Sequence, residues 1–487
     1  MKKGLVVFAV LLLAIPAVSF AGSATSMWDL TIGGYVKVDA GWTSQGAGTP
    51  PSGLEQYFPD RNDQYGNQNV ANKSGSFAME TGQTTLNFLV KGPDTWGAKT
   101  SAFIQGNFYG QTTNSGNAGT RNGTFTLTHA YMDFTWANTK LIVGTNWQSW
   151  GFQPSYTFLG VYDLLLAGRG NTVPQITLVQ TLPSHFYGSV GIQEPYNYRD
   201  QLGGSANLGQ ATPPAALSGE VLAPASSGSS FNSYARVTTN MPDFTGEFGY
   251  KSEVCGKIGP NMTQFAVGGF WGQDNIIYLD ALKSQNNTYN VAKVDRWGTA
   301  FKAFIPVIPE KNLNKTGAFS VSGSLWTGQN LSNWFLGARA IDALVPYSQS
   351  YSPVTGIAQY RSPVMAGGWG QLSYYFTDKV YINGLYAYDR SATSNAYDNA
   401  FPNEIKQWQQ YIGNIIYDVN PAVRVGVEYS YVAASFMRYG LNNGGVAGPA
   451  NEQLTGANGV VYTLAPGSVL SSKGEVQTGR IAFWYFF

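Results

Sequence analysis

The side chains with the means to do chemistry in this chain are charged groups set singly among apolar neighbours. Lys37 and Asp39 lie two apart in LTIGGYVKVDAGW, Arg424 and Glu428 four apart in AVRVGVEYSYV, and Arg480 precedes the last apolar residues; Arg236, Arg296 and Lys302 sit in similar surroundings. In an extended chain residues two or four apart share one face. Such groups would act together on whatever lies on that face, and six of the eight are cations. The chemistry on offer is electrostatic filtering, not bond breaking. Only His129, His185 and Cys255 could supply soft or basic ligands, too few for most metal sites. No paired-cysteine or CxxCH spacing marks zinc or covalent haem, and no glycine motif for phosphate rises above chance. No cofactor is expected.

Elements that could carry such groups are limited by composition. Of 487 residues 43% are hydrophobic and only 12% charged, about half the charged fraction of an ordinary soluble domain. After the first twenty residues no apolar run approaches the roughly 18 to 20 residues a membrane helix needs. The apolar content is therefore spread in short pieces, and 58 Gly, 30 Tyr, 27 Phe and 13 Trp favour strands and turns. An all-β chain is predicted.

The two ends suggest a compartment. MKKGLVVFAVLLLAIPAVSFA has two lysines, a short apolar core, Pro16, and small residues at Ser19 and Ala21 suited to signal peptidase, so residues 1–21 read as a signal peptide. Residues 22–487 then form one domain. Without Lys2 and Lys3 the 29 basic residues fall to 27, against 28 acidic, which makes no electrostatic case for nucleic acid. At the other end GRIAFWYFF puts Gly479, Ile481, Phe483, Tyr485 and Phe487 on one strand face and Arg480 on the other. It resembles the last strand of Gram-negative outer-membrane proteins, which in that family is read by the insertion machinery.

A strand crossing a bilayer in a barrel needs about 9 to 11 residues with alternate residues facing lipid. Leu30, Ile32, Val36, Val38, Ala40 and Trp42 alternate with Thr31, Tyr35, Lys37 and Asp39, and Val423 to Tyr431 alternate with Arg424, Glu428 and Ser430. Phe319, Val321 and Leu325 oppose Ser320, Ser322 and Ser324. Charges on the second face would be costly in a dry core, whereas a water-filled lumen accepts them. Tight turns read near 92–97, 136–139, 182–184, 255–261, 306–315, 377–378 and 419–421. Seven such turns predict sixteen antiparallel strands, closed because lipid cannot satisfy a sheet edge. The segment 231–254 counts as one strand despite Pro242; as a hairpin it would raise the number to eighteen. Long loops are predicted at 43–82, 111–122, 148–172, 195–230, 274–295, 329–365, 390–404 and 435–473.

The third loop, QSWGFQPSYTFLGVYDLLLAGRGN, carries an apolar run from Val161 to Ala167 that would be costly in solvent. It is expected to fold inward or to pack between loops or on a neighbouring subunit. Tyr156 and Phe158 are its candidates for solute contact, with Asp163 opposing Arg169. Trp28, Trp42, Trp96, Trp136, Trp271, Trp297, Trp369, Trp484 and Tyr485 suit aromatic girdles at headgroup depth. His129 with Ser101 could serve a hydrolase built into the wall, but a lone histidine on an alternating strand is more simply a wall residue.

Several stretches resemble, in order, the DcaP-like branch of the porin superfamily: GGYVKVDAGW, THAYMDF at 128–134, VGTNWQSW at 143–150, PQITL at 174–178, RWG at 296–298 and YDVNPAVRVGVEYSY at 417–431. The resemblance implies a sixteen-stranded, usually trimeric outer-membrane channel for small hydrophilic solutes, favouring anions. Positions where it implies arginine are Thr85, Thr128 and Val173 here, which thins the cationic lining. The expectation is a porin in the outer membrane of a Gram-negative bacterium, no enzyme, lined by Lys37, Asp39, Arg236, Arg296, Lys302, Arg424, Glu428 and Arg480. Outer-membrane lipid and lipopolysaccharide, small solutes and two further copies of the chain are its expected partners. A non-conducting scaffold barrel around an electron-transfer protein and a secreted adhesin of sandwich type are the alternatives.

Overall fold

A computed structural model describes residues 28–44, 75–110, 124–157, 172–195, 236–239, 241–279, 289–329, 331, 347–351, 358–361, 364–392, 405–436, 453–455, 461–463 and 473–487. The expected signal peptide, and Phe158, Asp163 and Arg169 of the third loop, lie outside them. The staves are β1 (Asp29–Thr43), β2 (Ser76–Glu80 continuing as Thr85–Lys91), β3 (Lys99–Gly110) and β4 (Thr124–Thr135). Next come β5 (Thr139–Trp147), β6 (Thr172–Thr181), β7 (Phe186–Gln193) and β8 (Arg236–Thr239 continuing as Asp243–Ile258). They are followed by β9 (Asn261–Leu279), β10 (Tyr289–Ile308), β11 (Phe319–Gln329) and β12 (Val364–Tyr375). The last four are β13 (Val380–Ala392), β14 (Ile405–Asn420), β15 (Val423–Phe436) and β16 (Lys473–Phe486).

Each stave pairs antiparallel with its neighbours, and β1 closes the ring by pairing with β2 on one side and β16 on the other. The sheet has eighteen hydrogen-bonded segments, but β2 and β8 each contribute two, which leaves sixteen staves. Closure matters because every backbone group inside lipid needs a partner. At the seam the Gly34 and Phe487 backbones exchange two hydrogen bonds of 3.2 Å. Gly34 has φ +148° and runs so close to the Thr85 carbonyl that a Cβ would collide with it, so only glycine fits there.

All seven predicted tight turns are present, at one end of the barrel. Pro242 explains why β8 reads as two pieces: a proline cannot donate to the ladder, and pairing with β9 stops at Thr239 and resumes at Phe244. The stave is single, so sixteen is the count and eighteen is not. Pro306 likewise coincides with a register shift between Pro306 and Ile308. The expected loop 274–295 is shorter than predicted, since β9 runs on to Leu279 and β10 begins at Tyr289. Polar residues such as Asp274 and Asp295 made those strand ends look like loop. Cys255, expected in a turn, is an exposed free thiol within the irregular end of β8.

The alternation is realised face by face. Leu30, Ile32, Val36 and Trp42 of β1, Leu325 of β11, Val427 and Tyr429 of β15, and Ile481, Phe483, Tyr485 and Phe487 at the C-terminus all point outward and are exposed. Lys37, Asp39, Ser320, Ser322, Ser324, Glu428, Ser430 and Arg480 point inward and are buried. Two girdle expectations are corrected. Trp369 shares the inward parity of Met365 and Gln371 and is buried, and Trp484 follows Arg480 and Ala482 inward, where it packs on Ile258, Tyr375, Tyr381 and Ile416. Strand parity outranked the general preference of tryptophan for headgroup depth.

Candidate functional site

The residues that follow β5 run down the inner wall. Ser149 meets Thr245 of β8 at 2.9 Å and accepts from Gln193 of β7 at 3.0 Å. Trp150, fully buried, lies against Phe270 of β9 with ring centroids 5.0 Å apart. Gly298 of β10 makes that room: a Cβ there would sit 2.6 Å from Leu331 and 2.9 Å from Phe270. The Gly151 N–H donates to Glu247 of β8 at 2.8 Å, and its carbonyl accepts from Ser324 of β11 at 3.3 Å. Five residues on, the Tyr156 N–H donates to Gln371 of β12 and its carbonyl accepts from Asn414 of β14, both at 2.8 Å. The Tyr156 hydroxyl meets the side chain of Asn261, the first residue of β9, and the hydroxyl of Tyr375, the last of β12. Residues 149–156 of the third loop thus lie against the inner wall, and the apolar run from Val161 to Ala167 lies outside the described residues.

Charges on β8 to β10 hold the upper part of this strap. Glu247 takes Lys302 of β10 at 2.8 Å and the Tyr187 hydroxyl of β7 at 2.8 Å, besides Gly151. Above it Arg296 is clamped between Asp243 at 2.8 Å and Asp274 at 3.2 Å, with all three side chains at most 5% exposed. The lower part is held by neutral amides. Gln371 donates to Ser373, Ser373 to Asn383, Asn383 to Asn414 and Asn414 to Glu428, at 2.9, 2.6, 2.7 and 2.9 Å.

Of the eight expected lining residues, Lys37, Asp39, Arg296, Lys302, Glu428 and Arg480 are buried on the inner face. Arg424 is half-buried and forks onto Asp418 at the short-turn end, not onto Glu428 as its spacing suggested. Arg236 belongs to β8, and its side chain lies outside what is described. Lys37 contacts Gln83, pairs with Asp39 at 3.2 Å and lies 4.9 Å over the Trp484 ring. Thr85 and Val173, where the resemblance implied arginine, do face inward and are buried.

The buried charges balance differently from the eight expected lining residues. Among the described residues the buried carboxylates are Asp39, Glu80, Asp243, Glu247, Asp274, Asp389 and Glu428, seven against the four cations Lys37, Arg296, Lys302 and Arg480. Glu80 and Asp274 were hidden in expected loops. Asp243 and Glu247 were legible, since DFTGEFGY alternates with outward Phe244 and Phe248, but the doubtful strand around Pro242 obscured their parity. Gln371, Asn383 and Asn414 carried no signal, because neutral amides on an inner face look alike until a loop docks on them.

Neither a protein-family model nor a curated protein matches the sequence. Solved structures do resemble the fold. The outer membrane channel DcaP of Acinetobacter baumannii superposes with a TM-score of 0.58 at 13% identity, covering 96% of this chain and 99% of that one. The anion-selective porin of Comamonas acidovorans gives a TM-score of 0.47 at 10% identity, covering 94% and 100%. A closed antiparallel wall with an apolar outer face, a polar inner face and an inward third loop is the fold of the Gram-negative outer-membrane porins, and this chain has that fold.

Proposed function

We propose that the protein is an outer-membrane porin for passive diffusion of small hydrophilic solutes, with the third loop narrowing the path at Tyr156. The observation that carries this reading is the two-faced wall. Apolar side chains such as Leu30, Leu325 and Phe483 are exposed outward, while charged and amide side chains fill the inner positions of the same staves. That distribution suits acyl chains outside and water inside, and passage needs only a lumen of suitable radius and field. The surplus of inner carboxylates supports weak cation preference, not the anion preference implied by the resemblance. Assembly as a homotrimer follows from the same resemblance and is tested by the sedimentation of the detergent-solubilised protein.

Planar-bilayer recordings of the purified full-length protein are expected to show stepwise conductance, with a reversal potential under a salt gradient displaced toward the cation. Silence in repeated insertions would overturn the reading. A second reading, a scaffold barrel closed to free diffusion, is favoured by the inner side chains of Lys37, Asp39, Gln371, Asn414 and Arg480, none more than 4% exposed. Silent bilayers together with a co-purifying cytochrome would decide for it.

A further inference from the structure

Tyr156 of the strap sits much lower than a mid-height constriction. Tyr375 and Tyr381 form the last full rung of β12 and β13 before the turn at 376–379, Asn261 opens β9, and Ile258 closes β8. All four residues belong to the short-turn end. The Tyr156 hydroxyl reaches Asn261 and Tyr375, and its ring stands edge-on to Tyr381 at 6.4 Å, while Tyr375 and Tyr381 stack at 4.8 Å. Six residues separate Trp150, level with Phe270 in the upper barrel, from Tyr156. The chain first turns tightly, the Phe152 N–H donating to the Trp150 carbonyl at 2.9 Å, and then descends along the wall.

We propose that Tyr156 is a stopper seated at the short-turn mouth, where it sets the largest solute that passes, and that Asn414 and Gln371 are its positioning residues. This inference rests on the channel reading. The seat is specific because both backbone groups of one residue are taken by side chains of two different staves, which fixes the height and the azimuth of the ring. A single neutral hydrogen bond is worth about 0.5–1.5 kcal/mol net. Removing either amide therefore frees the lower strap, while Glu247 still holds Gly151 above.

The test compares full-length wild type with Asn414→Ala, Gln371→Ala, Tyr156→Ala and Tyr156→Phe in planar bilayers and in liposomes swollen by mono-, di- and trisaccharides. Gln410→Ala is the control, since its amide donates to Ser430 of the neighbouring stave and not to the strap among the described residues. Heat-modifiable migration in gels checks that each barrel is folded. Asn414→Ala, Gln371→Ala and Tyr156→Ala are expected to raise trisaccharide entry severalfold over monosaccharide entry, whereas Tyr156→Phe, which keeps ring and backbone, and Gln410→Ala stay near wild type. If wild type conducts and the clamp variants match it, or if Gln410→Ala changes as much as they do, the stopper is wrong and the channel stands. If no variant and no wild type conducts, the channel reading falls, and the stopper with it.

Discussion

The strap is held at two heights, near Gly151 and at Tyr156, by opposite kinds of chemistry. Above, Gly151 hangs on Glu247, a carboxylate locked by Tyr187 of the adjacent stave and by Lys302 two staves away. Below, Tyr156 hangs on Gln371 and Asn414, members of a ladder of amides and a hydroxyl that ends on the Glu428 carboxylate. A buried charge is tolerated only with its partner in place, so the upper anchor is nearly all-or-none. An amide left by one partner can be satisfied by water at modest loss. The difference teaches which end is built to stay and which can let go without unfolding the wall.

That contrast is open to attack by measurement. Lys302→Met leaves Glu247 buried without its counter-ion and is expected to cost about 3–5 kcal/mol, seen as a lower urea midpoint for the barrel refolded in detergent. A wild-type midpoint would break the view of the upper end as a charged anchor. On the outside of the same arc, Leu325→Arg puts a charge on the lipid face, 62% exposed in the native chain, for about 2–4 kcal/mol near the midplane. Equal stability in bilayers would deny that this face meets lipid. Asn414→Ala should lower the same midpoint by only about 1–3 kcal/mol, and a loss as large as that of Lys302→Met would erase the distinction between the ends. Smallest of all, Lys99→Ala removes the exposed pair with Asp94 at 2.7 Å. It should change stability by about 0–1 kcal/mol, a baseline for charges that hold nothing.

Much of the wall was legible because a barrel stave states its two environments residue by residue. Val36, Lys37, Val38 and Asp39 announce outside and inside in turn, and the turns at 136–138 and 376–379 separate such runs cleanly. Legibility failed where a local cue contradicted the alternation. Pro242 made β8 doubtful and took Asp243 and Glu247 with it, and tryptophan's taste for headgroups misplaced Trp369 and Trp484. The site was harder, since Arg424 and Glu428 share a face by spacing, yet Arg424 turns to Asp418 across the turn and Glu428 to Asn414.

By itself the sequence determined alternating staves and seven tight turns, both of which follow from short-range pattern and the cost of apolar groups in water. Only the tertiary structure decided which charges meet, that the buried carboxylates among the described residues outnumber the buried cations, and that Tyr156 descends to the short-turn mouth between Gln371 and Asn414. Tyr156 lies more than two hundred positions from either amide in the chain, and what joins them is closure of the sheet, which no local pattern encodes.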